Sequence, residues 1–149
     1  METIKVLFVC VHNSARSQMA QTYLNDFGLA HRIYAESAGL EAGELNPLVV
    51  EAMKLDGYDI SGNQTHSVFD YYKEGRLYHY VVTVCDLEAA QRCPVFPGLS
   101  KMINWSFRDP SALEGSKEEQ LAITLEIRDE IKAAVKAFID EVNESRQTP

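Results

Sequence analysis

Ile4–Cys10 (IKVLFVC) constrains this chain more than any other stretch. After Lys5 it is continuously apolar, short and rich in β-branched residues, the pattern of a strand buried on both faces. Such a strand belongs inside a parallel sheet with helices on either side. The spacing of apolar residues supplies those helices. From about Ser17, Ala20, Tyr23, Leu24 and Phe27 recur at helical intervals, and Gly28 is placed to end the run. Asn46-Pro47 opens a second helix, with asparagine as cap and proline in the first turn; Val49, Val50 and Met53 form its stripe, and Gly57 stops it. Residues 116–119 (SKEE) fit a capping box ahead of a last helix whose inner face is Ile127, Ile131, Val135, Phe138 and Val142. Further strands are predicted at residues 32–37, 77–85 (LYHYVVTVC) and 101–105, with a turn-rich stretch at 59–65 before the third. Hydrophobic residues make up 46% of the 149, and no linker or repeat divides them, so one α/β domain over residues 1–149 is expected.

Parallel strands bring their carboxyl ends to one edge of the sheet, where ligands bind in such folds. Cys10 ends the first predicted strand, Cys85 ends the third, and Asp109 follows the fourth. The topology therefore gathers two thiols and a carboxylate at one rim.

The net charge of −8 argues against non-specific binding to nucleic acid or to anionic membrane. It leaves room for a small anion, because a local nest of backbone amides overrides the global field. The run from Val6 to Val11 is far shorter than the roughly 20 residues of a membrane span. The first residues lack the basic region and cleavage site of a signal peptide, so a cytoplasmic protein is expected. Three cysteines, an odd number, suit structural, metal-binding or catalytic thiols in a reducing compartment better than a disulfide framework.

Between the first strand and the first helix lies Cys10-Val11-His12-Asn13-Ser14-Ala15-Arg16. A loop of this length can curl so that the amides of Val11, His12, Asn13, Ser14 and Ala15 join those of the helix start around a tetrahedral oxyanion. Arg16 can clamp two of its oxygens, and Ser17 can donate to the Cys10 sulfur. The same field favours the thiolate of a nearby cysteine, which sets a nucleophile against the anion's central atom. A strand-end cysteine is more often buried filler. Its place between a buried strand and a helix start raises the functional reading above that one. The stretch contains no glycine and no lysine, so neither a dinucleotide-binding loop nor a Walker-type loop fits.

CVHNSARSQMA (residues 10–20) resembles the active-site loop of the low-molecular-weight protein tyrosine phosphatase superfamily, and its Asn-Ser-x-Arg-Ser-Gln-Met-Ala wording resembles the thioredoxin-coupled arsenate reductase branch. The likeness returns in Ser37-Ala38-Gly39, Asn46-Pro47, VVTVC (81–85), CPVFPG (93–98), WSFRDP (105–110) and IRDEI (127–131), and so spans nearly the whole chain. It implies a four-stranded parallel sheet of order 2-1-3-4 with helices on both faces. It also implies the roles. Cys10 attacks the central atom, Arg16 and the loop amides hold the oxyanion, Ser17 supports the thiolate, and Asp109 protonates the departing oxygen.

The two branches share that first step and part at the second. A phosphatase lets water attack phosphorus. In the reductase, Cys85 attacks the Cys10 sulfur, arsenite leaves, and Cys93 then attacks Cys85, a triple-cysteine shuttle implied by the resemblance and regenerated by thioredoxin. Neighbouring strands about 4.8 Å apart suit a disulfide between their ends. Residues 86–92 (DLEAAQR) between the last two cysteines read as helical. Eight helical steps span about 12 Å, too far for a disulfide, so this segment is expected to unwind in turnover. Arg92 beside Cys93 is expected to favour its thiolate. Two other readings stay open: a phosphatase acting on phosphoesters, and a non-enzymatic thiol sensor of anions. Ser111-Ala112 after Asp109-Pro110 stand where tyrosine-phosphatase members tend to place aromatics. No permanently bound cofactor is expected, and arsenate, with phosphate or sulfate as mimics, is the expected ligand of a monomer.

Compared with the best-known reductases, His12 replaces a frequent glycine and Ala15 a frequent cysteine, while Gln21 and Ser67 stand where some members hold potassium with acidic residues. No close Cys-x-x-Cys pair marks a zinc site. His31, His66 and His79 form no ligand pattern, so no metal is expected.

Overall fold

The computed structural model describes residues 2–147. Strand β1 (Ile4–Cys10) is buried at every position but Lys5, as its unbroken apolar run demands. It lies between β2 (Ile33–Gly39) and β3 (Tyr80–Thr83), and β4 (Lys101–Asn104) pairs with the outer side of β3. The order is β2-β1-β3-β4 and every pairing is parallel. Register places Cys10 beside Gly39, Val9 beside Thr83, and Thr83 beside Asn104, so all four strands end at one rim.

Alternation along the strands divides the core in two. Val6, Phe8, Val82 and Val84 pack with α1 (Arg16–Phe27), α2 (Pro47–Leu55) and the long α5 (Lys117–Gln147). Leu7, Val9 and Val81 face the other way, into a smaller cluster with Val68 and Tyr71 of α3 (Val68–Lys73), Cys93 and Phe96. The predicted α5 face is buried throughout, with Ile131 fully so. Ile131→Ala leaves a cavity where α5 meets the sheet, and a loss of roughly 2–5 kcal/mol is expected in urea unfolding at an unchanged m value.

Helix ends follow the side chains the sequence offers. Asn46 caps α2 by accepting from the amides of Leu48 and Val49 at 2.9 and 3.4 Å. At α5 the Glu119 amide donates to Ser116 Oγ at 3.1 Å, and the serine hydroxyl donates to the Glu119 carboxylate at 3.2 Å. The box is thus closed hydroxyl-to-carboxylate rather than through the cap residue's amide.

Several boundaries differ from expectation. The second strand starts one residue later, because Arg32 turns the chain with φ 56°, and runs on to Gly39. The third is shorter than residues 77–85: Leu77 is exposed, and past Thr83 the chain bends away after one more bond, from the Val84 amide to the Val9 carbonyl. The segment predicted helical at 86–92 forms one turn, α4 (Leu87–Ala90), capped by the Asp86 carboxylate on the Ala89 amide at 2.8 Å. Helix α3 was not expected. Its signal was Ser67 followed three residues later by Asp70; Ser67 Oγ accepts from the Phe69 amide at 3.3 Å. Tyr71 and Tyr72 ride on this helix. Among the described residues, no helix is long and apolar enough to cross a membrane.

Candidate active site

The loop leaving β1 is shaped by hydrogen bonds to its outer side. The carbonyls of Cys10, Val11, His12 and Ser14 accept from the amides of Leu40, Glu41, Gly43 and Asn46, at 3.0, 2.9, 2.9 and 2.9 Å. There are no cis peptides among the described residues, and in a trans peptide the following N–H points opposite to the carbonyl. The amides of Val11, His12, Asn13 and Ala15 are thereby turned toward the loop's hollow. The Asn13 amide is seen there, donating to Cys10 Sγ at 3.2 Å. Gly39 is required by this closeness: a Cβ at that position would lie 2.5 Å from the Asn13 nitrogen.

Asn13 bolts the loop in place. It is fully buried and takes φ 55°, a left-handed conformation that asparagine tolerates better than most residues. Its Nδ2 donates to Ser17 Oγ at 2.8 Å and to Ser37 Oγ at 2.9 Å, and its Oδ1 accepts from the His66 amide at 2.9 Å. Its carbonyl accepts from Gln18 Nε2 at 3.0 Å. Sequence reasoning named the Asn13 amide and missed this side chain, whose partners lie far along the chain.

Cys10 is buried, and its sulfur lies 2.9 Å from Ser17 Oγ, as expected for a supporting hydroxyl. Arg16 opens α1 with its guanidinium almost wholly buried, donating through Nη1 to the Phe107 carbonyl at 3.1 Å. Its Nη2 lies 3.6 Å from Asp109 Oδ2, and the Asp109 side chain is 39% exposed. Asp109 Oδ1 accepts from the Ser111 amide at 2.9 Å. The stretch leading there is held by Trp105, whose ring lies 5.8 Å from Phe8 and 5.6 Å from Phe138. Asn46 Nδ2 ties Ser111 Oγ to the start of α2 at 2.9 Å. His12 sits half-exposed at the mouth, 3.8 Å from the Glu41 carboxylate.

The other two thiols are also free and buried. Cys85 follows the paired end of β3, and Cys93 lies in the smaller core cluster with its sulfur toward the Pro94 carbonyl at 3.5 Å. Burial pushes the Cys85 thiol up; the Arg16 guanidinium pulls it down, and a Cys10 thiolate raises it. Burial, then the Cys85 charge, push the Cys93 thiol up to about 12. The expectation that Arg92 favours the Cys93 thiolate is overturned: Arg92 is exposed, and the apolar surroundings decide.

Ser37 Oγ donates to Gln21 Oε1, and Ser67 caps α3, so both positions compared with potassium ligands make protein contacts. Among the described residues, no three His, Cys, Asp or Glu side chains converge to hold a metal ion. The arrangement offers a hollow of amides, a cation, a carboxylate and a thiol: the parts needed to bind a tetrahedral oxyanion and attack its centre.

A family model described as low molecular weight phosphotyrosine protein phosphatase matches residues 5–148. An arsenate reductase of Bacillus subtilis (strain 168) is 40% identical over 141 residues, covering 94% of this chain and 98% of its own. Among solved structures, an arsenate reductase in the phosphate binding state aligns with a TM-score of 0.72 at 27% identity, covering 93% of this chain and 98% of that one. A thioredoxin-dependent arsenate reductase of Corynebacterium glutamicum aligns with a TM-score of 0.69 at 26% identity, over 96% of this chain and 63% of that one.

Proposed function

Because this chain belongs to the low molecular weight phosphotyrosine protein phosphatase family, we propose that it uses the family's oxyanion loop to reduce arsenate to arsenite. The observation carrying this reading is the second thiol. Cys85 follows a strand that pairs directly with the one ending in Cys10. Hydrolysis of a phosphoester needs no such group.

Arsenate enters the hollow with its oxygens on the inward amides and the Arg16 guanidinium, which exchanges its contacts with Phe107 and Asp109 for the anion. The Cys10 thiolate, its sulfur supported by Ser17 and the Asn13 amide, attacks arsenic. Asp109 gives its proton to the departing oxygen, which leaves as water. The Cys85 thiolate then attacks Cys10 Sγ. The S–S bond forms, the S–As bond breaks, and its electron pair stays on arsenic, which leaves as arsenite. Cys93 attacks Cys85 and frees Cys10, and an external dithiol protein of the thioredoxin kind reduces the Cys85–Cys93 disulfide. A thiol titrating near 12 carries about 10⁻⁵ of its population as thiolate at pH 7. Cys93 therefore acts after its segment leaves the core, where an ordinary thiol value near ~8.5 returns. The single turn of α4 suits that departure. The setting is cytoplasmic and the working unit a monomer without a resident cofactor.

The coupled assay tests this directly. With arsenate, thioredoxin, thioredoxin reductase and NADPH, steady NADPH loss that requires arsenate and thioredoxin is expected. Brisk hydrolysis of an aryl phosphate without arsenate-dependent NADPH loss assigns the protein to the phosphatases instead. Absence of turnover in both assays leaves a thiol sensor.

A further inference from the structure

Asn104 ends β4 at the open edge of the sheet, yet its side chain reaches back across β3. Nδ2 lies 2.8 Å from Thr83 Oγ1, 3.2 Å from the Cys85 carbonyl and 3.4 Å from the Thr83 carbonyl. Two of these partners are carbonyls, which only accept, so the amide's NH₂ must face them. The other end agrees: Ser106 Oγ donates to Oδ1 at 3.4 Å. The Thr83 hydroxyl lies 3.3 Å from the Ile103 carbonyl, to which it donates while accepting from Asn104.

The contact stands where the backbone ladder stops. The last rungs around β3 run from the Val84 amide to the Val9 carbonyl and from the Trp105 amide to the Thr83 carbonyl, each 2.8 Å. Cys85 lies one step further on, and the carboxamide of Asn104 adds a rung for it. Immediately beyond, the single turn of α4 leads to Cys93.

We propose that Asn104 is a positioning residue of the relay, clipping the Cys85 main chain to the end of β3 while residues 86–93 rearrange. The inference rests on the reductase reading. In the step it serves, the Cys85 thiolate must reach Cys10 Sγ from the side opposite arsenic; the S–S bond forms, and the S–As pair departs with arsenite. A Cys85 backbone released with the moving segment loses that aim. The clip also assigns the division of labour between the two thiols. Cys85 stays with the sheet, and Cys93 travels to it.

Asn104→Ala, Asn104→Asp and Thr83→Val separate this role from general support. Three readouts apply to each: p-nitrophenyl phosphate hydrolysis, kcat and KM for arsenate in the coupled assay, and thiol loss in a single turnover without thioredoxin. In Asn104→Ala, kcat and single-turnover thiol loss are expected to fall about tenfold, with KM and phosphate ester hydrolysis within about twofold of the parent. Asn104→Asp falls further, because a carboxylate then faces the carbonyl oxygens of Thr83 and Cys85. Thr83→Val keeps the shape and the Cys85 contact but frees one side of the amide, and falls between Asn104→Ala and the parent. Unchanged single-turnover rates in both Asn104 variants overturn the proposal, as does an equal loss in ester hydrolysis and arsenate reduction. A parent protein that hydrolyses the ester but never consumes NADPH with arsenate defeats the reductase reading itself.

Discussion

Cys85→Ser is expected to lower arsenate-dependent NADPH consumption by at least about 10³-fold while leaving aryl-phosphate hydrolysis within about twofold of the parent. A serine hydroxyl is not ionised near neutral pH and does not displace arsenite from sulfur, so the two electrons have no donor. The first half of the reaction is untouched. The hollow, the Arg16 clamp and Asp109 are built from the β1–α1 loop and the stretch after β4, and among the described residues no hydrogen bond from the Cys85 side chain supports them. The pattern is diagnostic because it divides one protein into a working esterase half and a dead reductase half. Parallel loss of both activities means that Cys85 acts structurally, and retained arsenate reduction removes the relay altogether.

Cys93→Ser divides the cycle at a later point. With Cys85 intact, one arsenite per protein is still released and a Cys10–Cys85 disulfide accumulates, detectable as two lost thiols. Steady turnover with thioredoxin stops, because the cross-link remains inside the fold. The pH response follows from burial. Burial pushes the Cys85 thiol up in the folded chain, and Cys93 attacks from outside the core with an ordinary thiol value near ~8.5, so both attacking forms become more populated as pH rises. Turnover limited by either thiol therefore increases from pH 7 toward pH 9 rather than peaking at the acid end.

The residues that were legible in the sequence are those whose burial writes a pattern. Ile4–Cys10 cannot be half-exposed, and the α5 stripe repeats too regularly to be anything but an inner face. Short elements leave no such trace: α3 has six residues, five of them aromatic or charged, and its one signal, the Ser67 cap, was too little to reveal it. Residues 86–92 read as helical, yet only the single turn Leu87–Ala90 forms. The site divides the same way. Cys10, Arg16, Cys85 and Asp109 could be placed because parallel topology carries strand ends to one rim. The groups that hold them could not, since Asn13 meets Ser37 and His66 at separations of 24 and 53 residues. Asn104 meets Cys85 by the same kind of long-range fit. Arg92 shows the converse error. Adjacency in sequence suggested a charge effect on Cys93, whereas the fold sends one side chain to solvent and the other into the core.

Asn13→Ala is the substitution expected to cost the fold most for its size. Alanine in the left-handed region is disfavoured by about 1–2 kcal/mol relative to its usual conformations, a term that asparagine largely avoids. The hydroxyls of Ser17 and Ser37 lose a donor, and the half-buried His66 amide loses its acceptor, at about 1–3 kcal/mol for a group left unpaired. The serines recover part of this by turning toward each other and toward Gln21, so the terms do not simply add. A net loss of roughly 3–5 kcal/mol follows, which lowers Tm on the order of 10 °C for a chain of this length. Asn13→Gly removes the backbone strain but not the orphaned partners, and is expected to recover only a minor share of the loss. Both variants release the loop from β2, and arsenate and aryl-phosphate activities should fall together at temperatures where the protein is still folded. This is the opposite of the split expected for Cys85→Ser, because Asn13 supports the hollow that both reactions share. A melting temperature unchanged in Asn13→Ala shows that the loop is held by the outer carbonyl bonds to Leu40, Glu41, Gly43 and Asn46 alone.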